Sequence, residues 1–236
     1  MRLHRFFTNE QIPEQGIFEL ADPGVVHQMK SVFRLRSGDE VILFNGDGTD
    51  CLCRIVDFHK NIVKFEVLRR ESSRYMPNRP LWLCASVVKK DTFEWIAEKA
   101  TELGVTDILP IIAERSEKKS LNIERLEKIV TEASEQSGRG TVPKLYDVVE
   151  LYKAIDFLES EHSDLKILAF HTKSDIMPDV GLHPLSPTSV LIGPEGGWSE
   201  KEIALFKEKG IPVVCLGPQV LRAETAVVAI LSKMVF

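Results

Sequence analysis

One stretch of the chain, residues 191–202, decides its fold, and it reads Leu191-Ile192-Gly193-Pro194-Glu195-Gly196-Gly197-Trp198-Ser199-Glu200-Lys201-Glu202. An apolar strand runs into a glycine-rich turn, and Ser199 with Glu202 has the spacing of a capping box that starts a helix. Glycines let the backbone approach a ligand closely, and open α/β folds bind ligands at the carboxyl ends of their strands. The stretch therefore predicts an α/β fold with a binding loop at this turn.

The glycine spacing of this turn excludes two phosphate-binding loops. A Walker loop needs Gly-Lys-Ser/Thr, which is absent, and glycines at positions 1, 4 and 5 of the turn do not match a dinucleotide fingerprint. Glu195 would also repel a pyrophosphate. A neutral or cationic ligand fits better, and a turn that binds nothing is the alternative.

A second loop of this kind lies near the end of the chain, and it reads Cys215-Leu216-Gly217-Pro218-Gln219-Val220-Leu221-Arg222-Ala223-Glu224-Thr225-Ala226. It follows a short apolar strand and leads into the last helix, so the two loops can line one pocket. That helix, residues 226–236, is apolar on nearly every side. Such a helix is buried in a core or in a subunit contact, and a homodimer would supply the second burial surface.

Strands and helices alternate from Leu81 onward. We expect strands at residues 81–87, 107–112, 165–170, 189–192 and 212–216, and helices at 91–103, with Asp91 as its N-cap, and at 123–135. This rhythm predicts a mainly parallel sheet with helices on both faces.

The first 72 residues have a different pattern, of strands and turns. Strands are expected at residues 40–44, 51–58 and 62–68, and one short helix at 23–32 with Asp22 as its cap. This pattern predicts a small β-barrel. The polar segment 71–80 holds two prolines and is interpreted as the linker, which divides the chain into domains at 1–72 and 73–236.

Composition sets limits on function. The chain has 236 residues, is 44% hydrophobic and carries a formal net charge of -5, which excludes disorder and argues against a charge-driven nucleic-acid binder. No apolar stretch approaches the roughly 20 residues that a membrane span needs. No apolar signal core follows the charged N-terminus, so a cytoplasmic protein is expected.

The acidity is not uniform along the chain. Residues 1–75 carry equal numbers of acidic and basic side chains, so the excess lies wholly in the remainder. Basic residues cluster within the first part, at His27, Lys30, Arg34 and Arg36, and again at Arg69, Arg70 and Arg74. Such a cluster can bind phosphates, and a solvated charged face is the alternative.

The remaining chemical groups are less specific. Cys51, Cys53, Cys84 and Cys215 are too scattered for a disulfide framework, and structural cysteines are favoured over a metal pair at 51 and 53. Arg139 ends a polar Gln-Ser-Gly-Arg segment as either a helix-dipole partner or an anion binder. His171 and His183 are possible catalytic histidines, and the more common alternative is a structural or merely exposed histidine.

The combined motifs resemble the RsmE family of 16S rRNA uridine-N3 methyltransferases, which belong to the SPOUT superfamily. The segments that carry the resemblance are Gly193-Pro194-Glu195-Gly196-Gly197, Leu216-Gly217-Pro218-x-x-Leu221-Arg222-x-Glu224-Thr225-Ala226, Glu135-Gln136-Ser137-Gly138-Arg139, Glu98-Lys99-x-Thr101-Glu102-Leu103-Gly104, Arg5-Phe6-Phe7, and His27 with Arg34-Leu35-x-x-Gly38-Asp39. They cover essentially the whole chain in the expected order.

The resemblance implies a PUA-like N-terminal barrel that helps to hold RNA, and a C-terminal SPOUT α/β domain with a trefoil knot. It implies S-adenosylmethionine as methyl donor, 16S rRNA or the small ribosomal subunit as substrate, and a homodimer formed partly by the last helix. The RNA contacts would be His27, Lys30, Arg34, Arg36 and Arg139. The donor contacts would be His171, Thr172, Gly193, Glu195, Gly197, Leu216, Gly217, Leu221, Thr225 and Ala226.

For the reaction, the N3 proton of uridine must be removed and the nitrogen aligned with the donor methyl group. No metal is needed, because a sulfonium is already a strong electrophile. Arg222 is expected to anchor an RNA phosphate or a uracil carbonyl, and it is a poor base because arginine stays protonated. Glu132, Glu135 and Glu224 are candidate bases, and the alternative for each is that it only orients Arg139 or Arg222. Gln219 departs from the basic residue expected there, which puts an extra phosphate contact in doubt.

Overall fold

The computed structural model describes residues 3–117, 119–161, 163–172 and 186–236, and His183 lies outside these residues. The chain divides into two compact units. The first is Met1–Met76 with Ser134–Val142, and the second is Pro77–Ala133 with Pro143–Phe236. The first unit thus includes a segment that is distant in sequence, which no local pattern had indicated.

The first unit is built on one mixed sheet. Its elements are β1 (Arg5–Phe7), β2 (Gly16–Leu20), α1 (Pro23–His27), a π-helical turn (Gln28–Val32), β3 (Glu40–Phe44), β4 (Thr49–His59) and β5 (Ile62–Ser72). The strand order is β1-β3-β4-β5-β2, with β1 parallel to β3 and the other neighbours antiparallel.

Local interactions explain where the first helix begins and how it ends. Asp22 is its N-cap, as predicted, because its carboxylate accepts from Gly24 N at 2.8 Å and Val25 N at 3.1 Å. Residues 23–32 are helical, as expected, but the α-helix changes to a π-helical turn at Gln28. The amide of Phe33 accordingly donates to Gln28 O, five residues back, at 3.0 Å.

The two cysteines of β4 lie on the same, buried face of that strand. Cys51 and Cys53 on β4 are both buried in a core with Phe6, Leu43 and Phe65. Burial raises the pKa of the Cys53 thiol to about 12. Across the part of the chain that the structure describes, no group of three or more His, Cys, Asp and Glu side chains is placed to hold a metal ion. Their burial among apolar side chains makes both thiols part of the core of the first unit.

The second unit is an α/β unit. Its elements are β6 (Leu81–Ala85), α2 (Lys90–Glu102), β7 (Asp107–Ile108), β8 (Ile111–Ile112), α3 (Ile123–Ser137, whose last turn belongs to the first unit), β9 (Lys144–Leu145), β10 (Val149–Glu150), α4 (Leu151–Glu161), β11 (Lys166–Phe170), β12 (Thr188–Ile192), α5 (Glu200–Glu208), β13 (Val213–Val214) and α6 (Ala223–Val235).

The main sheet of this unit confirms the predicted parallel arrangement. Its six strands lie in the order β13-β11-β12-β6-β7-β9, and every neighbouring pair is parallel. Strands β8 and β10 form a separate parallel pair. Strands β6 and β12 are buried along their whole length, as expected where a parallel sheet is covered.

Three sequence expectations were wrong in detail. Asp91 is not the N-cap of α2, which begins one residue earlier, after Lys89; Asp91 lies in the first turn, where its charge complements the helix dipole. Residues 107–112 form two strands rather than one, because Pro110 has no amide to continue a ladder. The linker expected from residue 71 starts later, since β5 continues to Ser72.

Two buried carboxylates tie the distant segment into the first unit. Asp50 forms a bidentate ion pair with Arg5, in which Nη2 lies 2.9 Å from Oδ1, and Arg5 Nη2 also donates to the carbonyl of Arg139 at 3.2 Å. Glu135 accepts from Phe7 N at 2.9 Å and from Gln28 Nε2 at 3.0 Å. These contacts join residues 134–142 to the strands around β1.

Replacing Asp50 by Ala should destabilise the first unit strongly, because it leaves the Arg5 guanidinium buried without its partner. We expect a loss of about 3–5 kcal/mol in the free energy of unfolding, measured by urea titration. The control is Glu71→Ala, which removes the exposed Arg69–Glu71 pair and should cost less than about 1 kcal/mol. Equal losses for the two variants would contradict this account of the buried pair.

Candidate functional site

A cleft of about 520 Å³ lies in the second unit, where three neighbouring strands end. Because β11, β12 and β13 are parallel neighbours, the loops that follow them meet at one edge of the sheet. The lining residues are Phe170, His171, Thr172, Ile192, Gly193, Pro194, Glu195, Gly196, Gly197, Trp198, Cys215, Leu216, Gly217, Gln219, Val220 and Leu221, with Arg115, Glu200, Ile203, Ala223, Ala226 and Ile230.

Nine of the ten residues expected to contact a methyl donor are brought together in this cleft. They are His171, Thr172, Gly193, Glu195, Gly197, Leu216, Gly217, Leu221 and Ala226. Thr225 does not line the cleft and is exposed. The reason is helical geometry: Ala223, Ala226 and Ile230 share one face of α6 that borders the cleft, whereas Thr225 lies on another face.

The loop between β12 and α5 is held by its own side chains. The predicted capping box is confirmed, since Ser199 Oγ accepts from Glu202 N at 3.3 Å and Ser199 N donates to Glu202 Oε2 at 2.7 Å. The indole of Trp198 is 3% exposed and donates to Phe170 O at 2.9 Å. A Cβ atom at Gly193 would lie only 3.1 Å from the Trp198 ring, so the close approach there favours glycine.

The second loop is held by a thiol. Cys215 is buried at the end of β13, and its Sγ lies 3.0 Å from the carbonyl oxygen of Gly217 and 3.7 Å from that of Thr172. A Cβ atom at Gly217 would meet Gln219 Oε1 at 3.6 Å, an ordinary contact. The contacts of this loop therefore do not by themselves require glycine at position 217.

The charged groups of the cleft do not suit a polyphosphate. Arg115 Nη1 donates to the carbonyl of Gly196 at 2.8 Å and of Trp198 at 3.3 Å, so this part of the guanidinium is taken by protein acceptors. Glu195 and Glu200 add carboxylates to an otherwise largely apolar or glycine-rich lining. A ligand with a positive charge and no phosphate fits these walls best.

The proposed catalytic residues do not line the cleft, and their surroundings differ. Arg222 is exposed as the N-cap residue of α6, and Glu224 is half-buried in the first turn, so both adjoin lining residues in sequence. Glu132 is exposed on α3. Glu135 is buried, and its two carboxylate oxygens accept from Phe7 and Gln28 as described above.

The expected RNA-contacting residues fall into two groups. His27, Lys30, Arg34 and Arg36 are all exposed, and no ion pair with a carboxylate is formed by any of them within the described residues. By contrast, Arg70 pairs with Asp47 at 3.6 Å. Arg139 stands apart from this surface: it is 4% exposed, and burial lowers its pKa to about 10.

Among the cleft residues that the sequence did not assign as donor contacts, Trp198 and Arg115 form hydrogen bonds that hold the cleft wall. Trp198 stood within the quoted stretch but was not assigned a role. Arg115 lies shortly after β8, and the loop that it contacts is some 80 residues further along the chain. Only the packing of these segments brings Arg115 to the cleft, so no local pattern could have found it.

Comparison with known proteins gives consistent matches along the chain. The family model of an RNA methyltransferase domain matches residues 75–235, and that of an RNA methyltransferase PUA domain matches residues 22–68. Ribosomal RNA small subunit methyltransferase E of Rickettsia conorii is 31% identical over 99% of this chain and 96% of its own. The protein of the same name from Aquifex aeolicus is 33% identical over 98% of both chains.

A solved structure agrees with these relatives. The crystal structure of a ribosomal RNA small subunit methyltransferase E from Neisseria gonorrhoeae, bound to S-adenosyl methionine, matches with a TM-score of 0.88 at 29% identity. The match covers 98% of this chain and 96% of that one.

Replacing Trp198 by Phe should weaken the wall of the cleft, because the buried carbonyl of Phe170 loses its donor. We expect a loss of about 1–3 kcal/mol in the free energy of unfolding, measured by urea titration. Trp95→Phe is the matched control, since Trp95 is 41% exposed and its replacement should change stability by less than about 0.5 kcal/mol. A Trp198→Phe variant as stable as the control would show that the indole bond is unimportant.

Proposed function

The chain belongs to the ribosomal RNA small subunit methyltransferase E family, and from this premise we propose that it transfers a methyl group from S-adenosylmethionine to N3 of one uridine in 16S rRNA. The observation that carries it is the cleft at the ends of β11, β12 and β13, which gathers nine of the ten expected donor contacts.

The residues of the cleft fit such a donor. A volume of about 520 Å³ suits a nucleoside with an attached amino acid, since small-molecule sites commonly measure about 300–1,000 Å³. Gly193, Gly197 and Gly217 present backbone without side chains, and Glu195 offers a carboxylate to a positive charge. The lining lacks the loops that grip phosphates, which matches a sulfonium nucleoside without phosphate.

When bound, S-adenosylmethionine supplies an electrophilic methyl carbon. The two glycine loops orient the donor, and the apolar side chains of Leu216, Leu221 and Ile230 exclude water from it. What remains for the protein is to hold the uracil ring and to remove its N3 proton. Both tasks fall to residues at the start of α6, next to the lining.

We assign the anchoring of the RNA to Arg222 and the acceptance of the N3 proton to Glu224. Arg222 is exposed and stays charged, so it can bind a phosphate or a uracil carbonyl without acting as a base. Among the candidate bases, Glu135 is already engaged by two donors, and Glu132 stands exposed on α3. Glu224 adjoins the lining residue Ala223, which favours it.

We propose that the first unit holds the RNA through the exposed cluster of His27, Lys30, Arg34 and Arg36. Among the described residues, none of these four side chains forms an ion pair with a carboxylate, so all four can approach phosphates. Arg139 is left out of this surface because it is buried. Such a surface makes RNA binding dependent on salt.

We further propose that the protein acts as a homodimer through α6. Val235 at the end of this helix and Phe236 directly after it are exposed apolar side chains, which a partner subunit would cover. We also propose that the chain is a member of the SPOUT superfamily and that its last strands form a trefoil knot. The boundary between the two domains is proposed to lie near residue 73.

We place the protein in the cytoplasm, where ribosomal subunits assemble. Its four cysteines are free thiols. Among the residues described, no helix has both the length and the hydropathy required for a transmembrane segment.

The decisive experiment combines binding and transfer. Calorimetry should detect S-adenosylmethionine binding, and the protein should transfer labelled methyl groups to small subunits from a strain that lacks it. Methylation at N3 blocks the pairing edge of uracil, so primer extension should then stop at one new position. Absence of donor binding would refute the methyltransferase, and a stop that persists in the deletion strain would assign the modification to another enzyme. Parallel assays on free 16S rRNA and assembled subunits identify the substrate.

Arg222→Ala should separate the two halves of the reaction. Donor affinity should be retained, because Arg222 does not line the cleft. Methyl transfer should fall by at least about a hundredfold, since misplacing the reacting atoms by about 1 Å costs on that order. Lys207→Ala, which removes an exposed charge from α5, is the control and should transfer normally. Wild-type transfer by Arg222→Ala would remove the anchoring role.

A further inference from the structure

The short turn that follows β8 contacts the glycine loop of the cleft. Residues 113–116 close on themselves, since Ser116 N donates to Ala113 O at 3.0 Å and Ala113 N donates to Ser116 Oγ at 3.0 Å. From this turn Arg115 reaches the loop formed by residues 193–198, which lies about 80 positions further along the chain.

Arg115 holds that loop by its backbone. Its Nη1 atom donates to both the Gly196 and the Trp198 carbonyl, at 2.8 and 3.3 Å. Its aliphatic stem also packs on the loop, because a Cβ atom at Gly196 would lie 3.3 Å from Arg115 Cβ and 3.4 Å from Cδ. A charged donor on neutral carbonyls forms a stronger bond than a neutral pair does.

Glu202 joins the 113–116 turn to Ser199, the residue that directly follows the loop. The residue is buried, with 8% of its surface exposed. Its Oε1 atom accepts from Glu114 N at 2.8 Å, and its Oε2 atom accepts from Ser199 N at 2.7 Å. The capping residue of α5 thus also binds the 113–116 turn. The turn is therefore connected to the loop by Arg115 and to the adjoining start of α5 by Glu202, and both side chains act on backbone groups.

We propose that Arg115 and Glu202 are positioning residues that hold residues 193–198 in the shape that receives S-adenosylmethionine, which rests on the function proposed above. Gly196 and Gly197 give this loop many accessible conformations in the absence of restraint. A binding-competent shape that is populated only part of the time lowers the apparent affinity by that fraction. The two contacts keep the shape populated before the donor arrives.

The test compares Arg115→Ala, Arg115→Lys and Glu202→Gln with the control Lys119→Ala, which removes an exposed charge close to the same turn. Calorimetry measures donor affinity, and saturating donor gives kcat for methyl transfer. We expect Arg115→Ala and Glu202→Gln to weaken donor affinity by about tenfold, the equivalent of one charge-assisted hydrogen bond, with kcat largely retained. Arg115→Lys keeps a charge and should restore part of the affinity, and Lys119→Ala should match the wild type.

Two outcomes would overturn the proposal. Unchanged donor affinity in both Arg115→Ala and Glu202→Gln excludes positioning. Weak binding by Arg115→Ala beside normal binding by Glu202→Gln assigns Arg115 to direct contact with the donor instead.

Hydrogen exchange on the donor-free proteins gives an independent readout. Amides of residues 193–198 should exchange faster in Arg115→Ala than in the wild type while the rest of the second unit does not. Unchanged exchange there contradicts the proposal even if Glu202→Gln fails to fold. If the wild-type protein binds no S-adenosylmethionine, the function proposed above fails, and the exchange result still decides whether Arg115 restrains the loop.

Discussion

The parallel pairing of β11 with β12 and β13 is the constraint on which the rest of the site depends. Parallel neighbours place all their carboxyl ends at one edge of the sheet, so the loops that follow them must meet there. The two glycine loops are about 20 residues apart in sequence, and they form one cleft only because the strands before them are neighbours of β11. Helix α6 then closes the cleft, since it starts directly from the second loop and buries Val227, Leu231 and Met234 in the unit.

The parts that could be predicted from the sequence are those that local chemistry determines. The Asp22 cap, the Ser199–Glu202 capping box and the β-α alternation depend on residues within a few positions of each other, and all three were found. The sequence predictions failed where a feature depends on residues distant in sequence, or where one residue interrupts an otherwise clear hydropathy pattern. Pro110 splits an apolar run that has the hydropathy of one strand, and Arg115 reaches the cleft only through tertiary packing.

The electrostatic surface likewise could not be predicted from the sequence alone. A count of basic residues treats Arg34, Arg70 and Arg139 alike, yet one is exposed, one pairs with Asp47, and one is buried. The net charge of -5 therefore says little about the partner. What decides it is where cations remain unneutralised on a surface, because a phosphate responds to the local field within about one Debye length, roughly 8–10 Å. The position of each carboxylate partner is a property of the fold.

The glycine loop raises a physical conflict that its anchors resolve. Glycine at position 193 permits the close approach of backbone to the Trp198 ring, and Gly197 adopts a φ of +67° that other residues rarely accept. The same glycines make an ordered loop costly in conformational entropy. The Trp198 indole, the Glu202 carboxylate and the Arg115 guanidinium offset that cost by bonding to backbone carbonyls and amides. Because these anchors act on the backbone, they make no demand on the side chain of Glu195, which is exposed and which we propose as a donor contact. In this proposal the backbone atoms of the loop receive the contacts that make it rigid, whereas the side chain of Glu195 recognises the ligand.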